Sequence, residues 1–168
     1  HNLGEGKLYG AQENNICYYM GVAYQGLGQK GKCQSFLSKA ATGLSEPSSA
    51  MFYNDQPPDM IFYQGLAHQR LGQTREAKEI FRKLIDHGST HIKDQITMDY
   101  FAVSLPASLV FDEDLNLRNK IHCNYMMALG YAGLGDKEAA SGHYRNILSC
   151  DRFHLGAIFH QSLSDNIE

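Results

Sequence analysis

No run of lysine or arginine occurs in this 168-residue chain, whose formal charge is −3, so nucleic acid and an anionic membrane surface are disfavoured as partners. No apolar stretch approaches the roughly 18 residues of a membrane span, and no signal-peptide pattern is visible. Proline is scarce, tryptophan is missing and charged residues make up 20%, none of which is the signature of disorder. Catalytic signatures are missing too. There is no G-x-S-x-G, no P-loop, no H-E-x-x-H and no acid pair whose spacing constrains geometry. No catalytic residue, cofactor or metal is therefore expected.

The four cysteines form no CxxC and no zinc-type Cys/His spacing. Cys17, Cys33, Cys123 and Cys150 read as buried free thiols, which favours a reducing, cytoplasmic setting. Among the eight histidines, His87 and His91 would share a helix face, but Gly88-Ser89-Thr90 between them reads as a helix end and removes the metal reading. Asp112-Glu113-Asp114 lacks the alternating ligands and central glycine of a calcium loop and reads as acids stabilising a helix start.

What the chain does contain is an internal repeat. The pairs Leu27-Gly28, Leu71-Gly72 and Leu134-Gly135 lie in aligned surroundings. Seven residues before each glycine stands Gly21, Gly65 or Ala128, and four before it a ring, Tyr24, His68 or Tyr131. Cys33, Ala77 or Ala140 follows five residues after it, and Leu37, Phe81 or Tyr144 nine after. The small residues let a second helix approach closely, and the glycines suit the left-handed residue that ends a helix. Ala77, Ile80, Phe81, Leu84 and Ile85 then resume at helical period. Each unit is thus an αα-hairpin. The ring His68 reads as a core histidine.

This pattern resembles the tetratricopeptide repeat, a helix-turn-helix unit of about 34 residues. The resemblance implies an all-α, right-handed superhelical stack of hairpins over residues 1–168 as a single domain. Its units are expected at about 14–47, 58–91 and 121–154, with a capping helix at 153–164 that carries Phe153, Leu155, Ile158, Phe159 and Leu163. The Leu-Gly pairs lie 44 and 63 residues apart, so the units are interrupted. The first interruption, Ser45 to Pro58, holds a turn signal at Asn54 to Pro58, a first-turn proline in Pro58 and an expected helical turn at Ser48 to Phe52. The second, about 89–120, is too apolar between Met98 and Phe111 for a solvated loop and is expected to be packed. It predicts a helix to about Leu105, a break at Pro106 and a long helix running to about Gly133.

In solenoids of this type the first helices line a concave surface where ligands lie. By that resemblance the inward rows are Tyr18, Val22 and Gln25, then Phe62, Leu66 and Gln69, then Tyr125, Leu129 and Ala132. They make an aromatic, an aliphatic and a mostly amide row, with the apolar insertion expected as the cover. Lysine and arginine of the family's carboxylate-gripping variant have no counterpart in these rows, so an apolar or extended protein segment is the expected partner.

A second resemblance runs through Glu5-Gly6-Lys7-Leu8-Tyr9-Gly10-Ala11-Gln12-Glu13-Asn14, Tyr53-Asn54-Asp55-Gln56-Pro57-Pro58-Asp59 and Asp99-Tyr100-Phe101-Ala102-Val103-Ser104-Leu105-Pro106. These phrases are similar to the C-terminal repeat region of large multidomain bacterial proteins, in which a carbohydrate-enzyme-like β-sandwich domain of unknown function precedes the repeats. The start at His1, with Gly4 and Gly6 close behind, fits an excised fragment. Two functions follow as expectations: a non-catalytic scaffold that binds a protein, a peptide or its own upstream domain in the groove, or an accessory helical module of a carbohydrate-active enzyme.

Overall fold

A computed structural model describes residues 13–49, 56–96 and 114–166 of the chain, with side chains to Ser164. Among them are seven helices and no strand: α1 (Asn14–Gly26), α2 (Lys30–Ala40), α3 (Pro58–Arg70), α4 (Thr74–His91), α5 (Leu115–Leu134), α6 (Lys137–Cys150) and α7 (Leu155–Asn166). The first six pair as three hairpins, α1 with α2, α3 with α4 and α5 with α6. The expected all-helical hairpin stack is what the chain forms.

Each hairpin turns on its Leu-Gly pair. Gly28, Gly72 and Gly135 have φ of 69°, 79° and 83°, a left-handed conformation in which a side chain would strain the backbone. The following N–H then reaches back to the carbonyl of the ring residue, from Gln29 to Tyr24, Gln73 to His68 and Asp136 to Tyr131. In two units that ring also stacks across the hairpin, Tyr24 on Phe36 with centroids 5.4 Å apart and Tyr131 on His143 at 5.5 Å. His68 departs from this. Only partly buried, it places Nδ1 2.6 Å from Gln73 Oε1 in its own turn, so it braces the turn rather than filling the core.

Close approach of the paired helices explains the small residues. A Cβ on Gly65 of α3 would lie 2.4 Å from the Phe81 ring, and a Cβ on Gly133 of α5 would lie 2.3 Å from the same ring. Phe81 is thus gripped between α3 and α5, fully buried beside Leu84, Leu129 and Tyr144. First helices also touch in sequence, α1 against α3 and α3 against α5, the row that the resemblance takes as the concave face.

Gly88-Ser89-Thr90 does not end a helix. α4 passes through it to His91, and Gly88 admits a close approach of α5: a Cβ there would stand 2.6 Å from the Cys123 carbonyl oxygen. The glycine serves packing rather than termination. As a consequence His87 and His91 do share a helix face, with ring centroids 4.4 Å apart.

α5 starts well before the expected third unit, at Leu115, where the Asp114 carboxylate accepts from the Asn116 and Leu117 N–H groups at 3.0 Å. The acidic lead-in is therefore a helix cap at Asp114. The ends of the long insertion are pinned together, since Asn116 Oδ1 accepts from Ile96 N–H at 2.9 Å and buried Asn119 donates to the His91 carbonyl at 2.8 Å. The helix expected to Leu105, the break at Pro106, the packing of Met98 to Phe111, and Asp112 and Glu113 lie outside the described residues. Ser48 and Ser49 are not helical, and the rest of the turn expected there is also outside them. Of the cysteines, Cys123 is buried and Cys17 and Cys33 are half-buried, whereas Cys150 is exposed because it sits at the end of α6.

Candidate functional site

The capping helix does something the sequence did not suggest. Of its five large apolar residues, Phe153, Leu155, Ile158 and Phe159 are exposed. α7 instead packs through Gly156, Ala157 and His160. A Cβ on Gly156 would stand 2.5 Å from the Tyr125 hydroxyl, so the helix approaches too closely for large residues on that side. The His154 imidazole Nδ1 accepts from the Ala157 N–H at 3.0 Å and starts the helix.

His160, 3% exposed, is the centre of a polar chain through the concave face. Its Nδ1 lies 2.8 Å from the Gly156 carbonyl, which only accepts, so Nδ1 carries the proton. Nε2 is then left to accept from the Tyr63 hydroxyl at 3.1 Å. The Tyr19 hydroxyl in turn lies 3.1 Å from that of Tyr63 and completes the chain by donating to it. Tyr125 shares the Nδ1 proton at 2.9 Å. Helices α1, α3, α5 and α7 are joined by one imidazole and three phenols.

Burial sets the protonation of this chain. It pushes the Tyr63 phenol far up, with the neighbouring Tyr19 phenol adding to the shift, and raises Tyr125 likewise, with Asp59 a secondary cause. Burial also lowers His160, against the Gly156 carbonyl and Asp59, which raise it. Away from this face, burial raises the Cys123 thiol to about 11. Near neutral pH all of these groups are uncharged and act as hydrogen-bonding groups, not as nucleophiles. Among the described residues no three His, Cys, Asp or Glu side chains come together as a metal set.

The eight expected groove residues divide in two. Phe62 and Tyr125 lie beneath α7, their rings 5.6 and 5.9 Å from that of His160, and Leu129 is fully buried in the core. Tyr18, Val22, Leu66 and Gln69 line an open cleft of about 360 Å³ together with Tyr19, Arg70 and Leu163. Gln25 stands exposed beside it and accepts from Arg70 Nη1 at 2.8 Å. Over the described part of the concave face it is therefore α7 that provides cover.

Arg70 was missed because it falls outside the three counted rows. Its one sequence signal is contrast. The matching positions, two residues before the turn glycine, hold Gly26 and Gly133 in the other units. Its Nε donates to the Tyr18 hydroxyl at 2.9 Å and the guanidinium lies 5.5 Å from the Tyr18 ring centre, a cation placed over an aromatic face. Gln69, next to it, donates to the Gly133 carbonyl at 3.1 Å and ties α3 to the end of α5.

Residues 59–87 match the family model for a tetratricopeptide repeat, covering α3 from its second residue and α4 as far as His87. No solved structure matches the chain. The matched segment is the hairpin whose spacing the flanking ones repeat, so among the described residues the chain is a helical hairpin stack that holds a tetratricopeptide repeat over residues 59–87.

Proposed function

We propose that this chain is a non-catalytic interaction module that binds a segment of another protein, or of a domain of its own parent chain, at the open end of its concave face. The observation that carries the reading is the cleft between α1 and α3. Tyr19 and Val22, together with the buried Tyr18 and Leu66, present an apolar wall that α7 borders only through Leu163 among the described residues, while Phe62 and Tyr125 lie against His160 of α7. Tetratricopeptide repeats generally mediate protein–protein contact, and aromatic anchors in such a cleft are the usual carriers of binding energy. An extended segment fits a cleft formed at the crossing of two helices better than a globular surface does.

Site-directed photo-crosslinking tests this directly. A photoreactive phenylalanine analogue at position 22 should crosslink a discrete partner, and the same analogue at the exposed Lys78 position on α4 should not. Equal labelling from both positions, or none from position 22, would count against the proposal.

A further inference from the structure

The chain as a whole is acidic, with a formal charge of −3, yet among the described residues the charged side chains that line two of its clefts are all cations. The α1–α3 cleft has Arg70 on its rim. A second cleft, of about 430 Å³, also has Arg70 in its lining, together with Gln25, Gln34, Lys30 and Gly28 of the first hairpin turn. Among the described residues no aspartate or glutamate lines either one. Arg70 is the residue they share.

The guanidinium is held there. The bonds from Nε to Tyr18 and from Nη1 to Gln25 fix its plane, leaving both Nη2 hydrogens and one on Nη1 without a partner among the described residues. Those hydrogens can donate charge-assisted bonds to a carboxylate. Preorganisation matters here because a long side chain that is already fixed loses little further freedom on binding.

We propose that the two clefts form one track for an extended peptide segment of a partner protein, with an apolar side chain in the α1–α3 cleft and an internal Asp or Glu side chain on Arg70. This rests on the interaction reading above and names its partner's chemistry. Lys30 extends the same preference along the second cleft. The acid is internal rather than a chain terminus because Arg70 belongs to the lining of both clefts, so a segment that fills both passes it. A terminal carboxylate would stop at the guanidinium and leave one cleft empty.

The test uses a randomised library of dodecapeptides, acetylated at the N-terminus and amidated at the C-terminus, selected on the whole chain, with a parallel library bearing free C-termini. Selected peptides should carry Asp or Glu close to an apolar residue. Changing that acid to its amide, or Arg70→Met in the protein, should each weaken binding about tenfold or more, as expected for a charge-assisted pair. Arg70→Glu should recover binding to the peptide in which the acid is replaced by lysine. Arg70 is exposed, and circular dichroism should show these variants folded. Peptides without an acid, or indifferent to Arg70, would overturn this proposal and leave the interaction reading standing. Enrichment confined to free C-termini, or self-association of the chain that blocks the peptide, would overturn it too. Failure of both libraries would overturn both readings.

Discussion

His160 on α7 accepts a hydrogen bond from Tyr63 on α3, 97 residues away in sequence, and this contact fastens the closing helix across the concave face. The arrangement requires a neutral imidazole. Protonation would add a donor at Nε2, where Tyr63 must then turn its own proton elsewhere, and would place a charge in a site shielded from water.

Acid should therefore loosen α7. Burial lowers the folded-state pKa of His160 below its ordinary value near 6.5. The unfolded chain then binds more protons in that range, so the contribution is complete above about pH 6.5 and is lost as pH falls through the folded-state value. His87 and His143 are lowered by burial as well and act in the same direction. Melting temperature should fall between about pH 7.5 and pH 5, and His160→Gln should flatten that fall. A profile with the same slope in the variant would show that His160 does not carry it.

Gly65→Ala should destabilise the chain. The new methyl would meet the Phe81 ring, which is fully buried and also in close contact with Gly133, so the ring has little room to shift. Overpacking of this kind costs about 1 to 3 kcal/mol, and the better helix propensity of alanine returns up to about 1 kcal/mol. Urea unfolding should show a net loss. Unchanged or increased stability would mean that Phe81 can shift.

Gly72→Ala tests a different cost. Nothing lies within 4 Å of the position where its Cβ would stand, so only the φ of 79° opposes the substitution. A loss of about 1 kcal/mol is expected, with Gly72→Asn milder because asparagine tolerates the left-handed region. Equal stability of all three proteins in chemical denaturation would contradict the turn assignment.

Much of the fold is legible in the sequence. Turn glycines, small residues and long apolar side chains recur at fixed offsets, and each offset has one physical task, so spacing alone gives Gly72, Gly65 and Phe81 their places. Gly88 shows where that logic ends. A glycine that stops a helix and one that admits a crossing helix look alike along the chain, and only the Cys123 carbonyl separates them. α7 defeats the pattern for a related reason. Its large apolar residues suggest the packed face, but Gly156 and Ala157 permit closer approach, and His160 fills the remaining space with hydrogen bonds. Arg70 lies in no repeated row and offers only the contrast with Gly26 and Gly133.

Burial also changes how the groove is probed. Phe62 is 2% exposed and touches Phe81 and His160, so Phe62→Ala should cost about 3 to 5 kcal/mol of stability, as a core truncation does. Thermal unfolding would show it. Marginal loss of stability in that variant would mean that the ring is less essential to the core than its contacts indicate.

The central claim, that binding takes place at the open α1–α3 cleft, is tested most directly by titrating a selected peptide into the wild-type chain and into Val22→Glu by calorimetry. Val22 lines the cleft and is only half-buried, so the variant should melt within about 2 °C of the wild type. Its affinity should fall about tenfold or more, because a charge replaces apolar wall at the anchor site. Undiminished affinity in a folded Val22→Glu protein would contradict the account.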